Sequence, residues 1–142
     1  MTGTTYGEGP NPALSEGEVF STLDDYGRFV QLILDRGVRN GRRVLSEHAI
    51  QEMRRAWSNG VPVVSSPRGT IPYGLGAWLD EVDETGTGIV LSSPGIGGFV
   101  PLVDYRRELV FVFAAQDDIA RIGPGISAIL QQVRAVVDQG AP

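Results

Sequence analysis

Seven consecutive residues near the C-terminal end, Leu109 to Ala115 (LVFVFAA), are apolar at every position, and this run limits the fold more than any other stretch. A strand with one face in water alternates apolar and polar residues, whereas a run with no polar member has to be covered on both faces. The chain therefore needs a sheet with helices on either side. The preceding segment supplies neighbouring strands: Tyr73 to Leu79 (YGLGAWL), Ile89 to Ser93 and Phe99 to Val103, with an acidic turn at Asp80 to Gly88 (DEVDETGTG). Their connections are too short for parallel crossovers, so the sheet should be antiparallel.

Helical periodicity flanks these strands. Ser21-Thr22-Leu23-Asp24 has the pattern of a capping box with Asp in the Glu place, and Leu23, Tyr26, Val30, Ile33 and Leu34 then share one face. Gly37 is placed to stop that helix, and Asn40-Gly41 to turn the chain. Ser46 caps a second helix with Glu47 in its first turn, and Ile50, Met53 and Trp57 form its core stripe. Pro124 suits the first position of a last helix, in which Ile126, Ile129, Leu130, Val133, Val136 and Val137 make an apolar stripe. Each such side chain, fully buried, contributes roughly 1.5–3 kcal/mol before entropy is charged. Residues 1–18 read as an extended lead-in, 19–142 as one domain, and Ser58 to Pro72 as a long Gly/Pro/Ser loop. The expected class is α/β in the α+β sense, an antiparallel sheet flanked by helices.

Composition removes several functions. At 142 residues and 42% hydrophobic content there is material for one core. A net charge of −5 argues against nucleic acid, because phosphate contacts need concentrated basic surface. Arg42-Arg43, Arg54-Arg55 and Arg106-Arg107 are isolated pairs that read as solvated faces. With no cysteine and one histidine, His48, neither a disulfide framework, a thiolate nucleophile nor a metal site is expected. The apolar runs are too short to span a bilayer, and Met1 to Pro10 has neither the basic start nor the apolar stretch of a secretory signal. All twelve basic residues are arginine, which reads as coding bias but limits the chemistry, since no lysine can act as a base.

Ser92-Ser93-Pro94-Gly95-Ile96-Gly97-Gly98 is the densest group of unusual residues. A phosphate-binding glycine loop would open a helix, but Phe99-Val100-Pro101-Leu102-Val103 continues as a strand. Two readings stay open on spacing alone. Glycines at a strand edge let a substrate carbonyl approach the backbone, where a free N–H donates to a developing oxyanion; equally, the group is a Gly-rich hairpin with a bulge. Other candidates have plainer roles. Asp24 and Asp25 read as capping residues, His48 as a surface histidine, Asp117-Asp118 as a solvated turn, and Trp78 and Phe99 as strand aromatics in the core or beside the glycines.

Five segments in order resemble the C-terminal part of the β-lactamase-related serine hydrolases, which include class C β-lactamases, D-alanyl-D-alanine peptidases and esterases. They are Phe20-Ser21-Thr22-Leu23-Asp24-Asp25-Tyr26, Arg43-Val44-Leu45-Ser46, Tyr73-Gly74-Leu75-Gly76-Ala77-Trp78, Ser93-Pro94-Gly95-Ile96-Gly97-Gly98-Phe99 and Val103-Asp104, covering about residues 17–138. The resemblance implies a partial domain of the β-lactamase/transpeptidase-like fold, acyl transfer to serine and no cofactor. It places Ser93-Pro94-Gly95 where the family has Lys-Thr-Gly or His-x-Gly, makes Ser93 and the Ile96 N–H of the oxyanion hole the catalytic groups, and makes Pro94, Gly95, Gly97, Gly98 and Phe99 substrate-binding residues. Serine at position 93 removes a cationic partner, so an ester or amide is favoured over a cell-wall peptide or β-lactam. The family's Ser-x-x-Lys and Tyr-x-Asn motifs do not occur here. The expectation is a segment inactive alone, with a sheet edge open to an N-terminal fragment or a second copy, or else a binding module that keeps the fold without the chemistry.

Overall fold

The computed structural model describes residues 21–61 and 70–140, so the expected lead-in at 1–18 and the middle of the Ser58–Pro72 loop lie outside them. Helix α1 spans Leu23–Leu34, and its cap is Thr22, one residue later than the expected Ser21: the Asp25 N–H donates to Thr22 Oγ1 at 3.1 Å. That frame turns Tyr26, Val30 and Ile33 inward and leaves Leu23 exposed. The helix closes with a Schellman motif, in which Gly37 N–H donates to the Leu32 carbonyl (2.8 Å) and Arg36 N–H to that of Ile33 (3.1 Å). Gly37 has φ +82, and a Cβ there would lie 2.4 Å from the Leu45 carbonyl oxygen. Only glycine meets both demands.

Strands β1 (Val38–Arg39) and β2 (Arg42–Arg43) form a small hairpin. Its two central residues, Asn40 (φ 49) and Gly41 (φ 73), both take positive φ, as a type I′ turn requires. Helix α2 (Glu47–Arg54) is capped by Ser46, whose Oγ accepts from Ala49 N–H at 3.0 Å, and it buries Ile50. Trp57 does not join that stripe. The chain turns extended at Arg55, the 3.6-residue period ends there, and Trp57 stays exposed with its indole N–H on the Glu52 carbonyl (3.0 Å) and the Arg55 guanidinium over its ring.

Strand β3 is Trp78–Val82, later than the expected Tyr73–Leu79. Gly74 N–H donates to the Ala77 carbonyl at 2.8 Å and Gly76 has φ +79, so Gly74–Ala77 is a tight turn and Tyr73 makes a single bridge to Trp78. Asp80 and Glu81, expected in the acidic turn, belong to a bulged β3. The turn proper is organised by Asp83, whose Oδ1 accepts from the N–H groups of Thr85 (2.9 Å) and Thr87 (3.0 Å) and from the Thr85 hydroxyl (2.6 Å). These bonds hold the Asp83 carboxyl below its ordinary pKa, the Thr85 hydroxyl most of all.

Strands β4 (Gly88–Ser92), β5 (Phe99–Asp104) and β6 (Leu109–Ala114) complete an antiparallel sheet of order β3-β4-β5-β6. Alternation sends Leu79, Leu91 and Val103 to one face, where they meet Val30 and Ile33 of α1. Asp104 points to the other face, where helix α3 (Ile119–Asp138) lies, and Arg134 of that helix reaches its Oδ2 at 3.0 Å. The sheet is thus flanked by helices on both sides, as the apolar run demanded. Among the described residues β6 pairs with β5 alone, so its other edge is open and its side chains are only half-buried.

Helix α3 starts five residues before Pro124. Asp118 Oδ1 accepts from Ala120 N–H at 2.8 Å, and Asp117 pairs with Arg121 one turn on (2.9 Å from Nε), so the two aspartates begin a helix and do not form a solvated turn. Pro124 falls in the second turn, where it offers no N–H to the Ala120 carbonyl. Ile126 is buried, but Ile129 (45% exposed) and Val136 (56%) face outward, so the six-residue stripe is only partly covered. Ion pairs tie the helix to the sheet as well. Asp104, fully buried, accepts from Arg106 and Arg107 N–H (both 3.2 Å), from the Arg107 guanidinium (3.1 Å) and from Arg134, while Arg107 also forks onto Asp138 (2.8 and 3.0 Å). Arg107 holds the Asp138 carboxyl below its ordinary pKa. Among the described residues no helix is long and apolar enough to cross a membrane.

Candidate functional site

The Ser92–Gly98 cluster joins β4 to β5 as a three-residue hairpin loop. Gly95 N–H donates to the Phe99 carbonyl (2.7 Å), Gly98 N–H closes a turn onto the Gly95 carbonyl (3.1 Å), and Gly98 takes φ +90. This is a turn followed by a glycine bulge, the geometry that the hairpin reading described. Its tip is anchored to the lead into α3, because the carbonyls of Ile96, Gly97 and Gly98 accept from the N–H groups of Ile119 (3.0 Å), Asp117 (3.1 Å) and Ala115 (3.1 Å). The carbonyls are therefore used up. The N–H groups of Ile96 and Gly97, by contrast, meet no acceptor among the described residues, and the Ile96 side chain is 84% exposed.

The predicted site residues divide between this tip and a groove beside it. Ser93 stands at the foot of the hairpin, its N–H on the Pro101 carbonyl (3.2 Å), and Ser92 and Ser93 line a groove of about 270 Å³ under α1. Phe99 opens β5 with its ring edge-on to Tyr26, 4.7 Å between centroids, and Tyr26 forms part of the groove wall. Burial raises the Tyr26 pKa above that of a free phenol. Pro94, Gly95 and Gly97 carry the backbone from the foot to the tip. Gly98 is buried beneath it. Asp24 and Asp25 pair with Arg28 in the first turn of α1, and His48 is exposed on α2.

Gly98 is the position that fixes the tip. A Cβ there would lie 2.8 Å from the Ala115 carbonyl oxygen, 2.9 Å from that of Asp117 and 2.9 Å from Ile122 Cδ1. Two of the three are backbone atoms tied to the same hairpin and cannot retreat independently. Gly98→Ala is expected to destabilise by about 1–3 kcal/mol from the left-handed conformation alone, with the clash in addition. Hydrogen exchange should show protection lost first at the Ala115, Asp117 and Ile119 amides, and unchanged protection there would count against this account.

Reasoning from sequence missed the groove wall: Phe29 of α1, Met53 of α2 and Leu75-Gly76-Ala77 ahead of β3. Tyr26 and Met53 carried a periodic signal, but that signal reports inwardness and does not distinguish core from cleft. Tyr105, on the same face, donates its hydroxyl to the Ile33 carbonyl (2.8 Å) beneath the Arg54 guanidinium, and burial raises its pKa despite the arginine.

No family model and no curated protein matches the chain. It is similar to a solved structure, "Crystal structure of putative beta-lactamase from Bacteroides dorei DSM 17855", with 29% identity over 66% of this chain and a TM-score of 0.56. The fold is β-lactamase-like. The chain spans about a third (32%) of the length of that protein. In the β-lactamase-like chain, then, the Ser93–Phe99 hairpin stands between the end of β4 and the start of α3, with two backbone donors at its tip, the Ile96 and Gly97 N–H groups, unengaged among the described residues, and an apolar groove at its foot.

Proposed function

We propose that the chain is the C-terminal segment of a β-lactamase-related serine hydrolase acting on esters or amides. It supplies the oxyanion strand and one wall of the cleft, and the nucleophile stands on a segment outside it. The single observation that carries this reading is the Ile96 N–H, which with that of Gly97 is unengaged among the described residues at the tip of a hairpin whose three carbonyls are tied down. A donor held this way needs no reorganisation when charge develops on a carbonyl oxygen. In the reaction a serine Oγ attacks the carbonyl carbon after a base takes its proton. The oxyanion is bound by the Ile96 N–H and the N–H of that serine, the alcohol or amine leaves, and water hydrolyses the acyl-serine. Nothing in the chain can be the base of a Ser-x-x-Lys pair, since it contains no lysine.

The open edge of β6 and the outward Ile129 and Val136 suit a neighbour that pairs with the sheet and covers the helix. That neighbour is assigned to the N-terminal segment bearing the nucleophile. Incubated alone with a fluorophosphonate, the chain is expected to form no adduct. Mixed or fused with the Ser-x-x-Lys segment, it is expected to hydrolyse a neutral ester, with the adduct on that segment. An adduct on this chain alone would overturn the assignment of the nucleophile. No activity on completion would favour a second reading, a binding module without chemistry, which the missing lysine and Ser93 in place of lysine or histidine also suit.

A further inference from the structure

We propose that the groove under α1 binds a neutral apolar acyl or aryl group, so that the preferred esters of this site are those with an uncharged hydrophobic acyl part. The proposal rests on the hydrolase reading only in calling that ligand a substrate.

Tyr26, Phe29 and Ile33 of α1, Met53 of α2 and Leu91 of β4 form the apolar walls, and the polar side chains at the strand end are Ser92 and Ser93. No charged side chain lines it among the described residues. A carboxylate or ammonium placed there would lose its hydration with no opposite charge to meet it, a cost that selects against charged ligands. The contrast lies within the same molecule: a second cavity, of about 300 Å³, is bounded by Gln31, Asp35, Arg36 and Glu108 together with Leu34 and Tyr105, and is mostly polar. Size then sets the ligand. A cavity of about 150 Å³ lined by Leu, Ile and Phe takes a benzene molecule, so about 270 Å³ takes a phenyl ring on a short linker or a straight acyl chain. Ser93 is what links the groove to the hairpin. Ser93 belongs both to the groove and to the foot of the hairpin, three residues before Ile96, and its backbone is pinned to Pro101.

The test is an amide-resonance titration of the 142-residue chain with hexanamide, hexanoate and hexylammonium. Hexanamide is expected to shift Ala77, Leu91 and Ser93, with both ions at least tenfold weaker. Leu75, half exposed on the groove wall, gives the matching variant: Leu75→Asp should weaken hexanamide at least fivefold and strengthen hexylammonium, with the rest of the spectrum unchanged. Equal binding of hexanoate, or shifts absent from the groove, would overturn the proposal. Neither outcome needs a nucleophile, so failure here leaves the hydrolase reading to its own adduct test. An inactive completed enzyme that still binds hexanamide would overturn the hydrolase reading and leave the groove standing.

Discussion

Replacing Ile96 by proline is expected, on the proposed function, to lower ester turnover of the completed protein by about 100- to 1,000-fold, the usual cost of deleting one oxyanion donor, while leaving the fold intact. The substitution is unusually clean at this position. Ile96 is the second residue of the turn closed by Gly98 N–H on the Gly95 carbonyl, and neither Ile96 nor Gly97 has positive φ. Proline is favoured at the second position of a type I turn, and here the N–H it removes bonds to nothing among the described residues. The preceding residue is Gly95, which has no Cβ to meet the new ring. Ile96→Ala keeps the N–H and removes a side chain that is 84% exposed, so it should change turnover less than about threefold. A donor used only in the transition state lowers kcat and kcat/KM together. Equal activity of the proline and alanine variants would remove Ile96 from the oxyanion hole.

Asp104→Ala should be the most damaging single change to stability, at about 3–5 kcal/mol, because it breaks a buried ion pair from one side. The carboxylate has no solvent exposure, and its loss strips the acceptor from two backbone N–H groups and from Arg107 and Arg134. Arg107 keeps Asp138, whereas Arg134 has no other ion pair among the described residues. A domain of this size has about 5–15 kcal/mol to lose from, so the urea midpoint should fall by roughly 2 M for a slope near 2 kcal/mol/M. Part of the effect comes from stranding Arg134, so Asp104→Leu combined with Arg134→Met should recover that part, the Arg106 and Arg107 N–H groups staying without their acceptor. A midpoint for Asp104→Ala within about 0.3 M of the parent, on the same slope, would show that helix α3 is held by its apolar stripe instead.

That contest between charge and apolar contact in α3 marks the limit of what periodicity reveals. The helix was legible from its apolar spacing, but Ile129 and Val136 share that spacing and face outward. Its start was misplaced at Pro124, because a proline tolerated in the second turn looks the same in sequence as one at the first. Trp57 misled in a related way: the 3.6 period runs through it only if the helix does, and the backbone turns extended at Arg55. The strands from Ile89 onward were placed to within a residue, since alternation and turn chemistry are local properties.

What the sequence determined by itself was the set of local constraints. An unbroken apolar strand required two covered faces, Asn40-Gly41 required a primed turn, Ser46 required a helix to cap, and the absence of lysine ruled out a Ser-x-x-Lys pair within the chain. What only the tertiary structure decided was which inward residues meet protein and which meet empty space. Leu79 and Leu91 carry the same inward signal and share one core, yet Leu91 also borders a cavity of about 270 Å³ and Leu79 does not. The donors at Ile96 and Gly97 were settled at the same level, because three neighbouring carbonyls had to find partners 17 to 23 residues away while these two N–H groups meet no acceptor among the described residues. Burial and hydrogen-bond vacancy are properties of pairs distant in the chain, and a local pattern does not encode them.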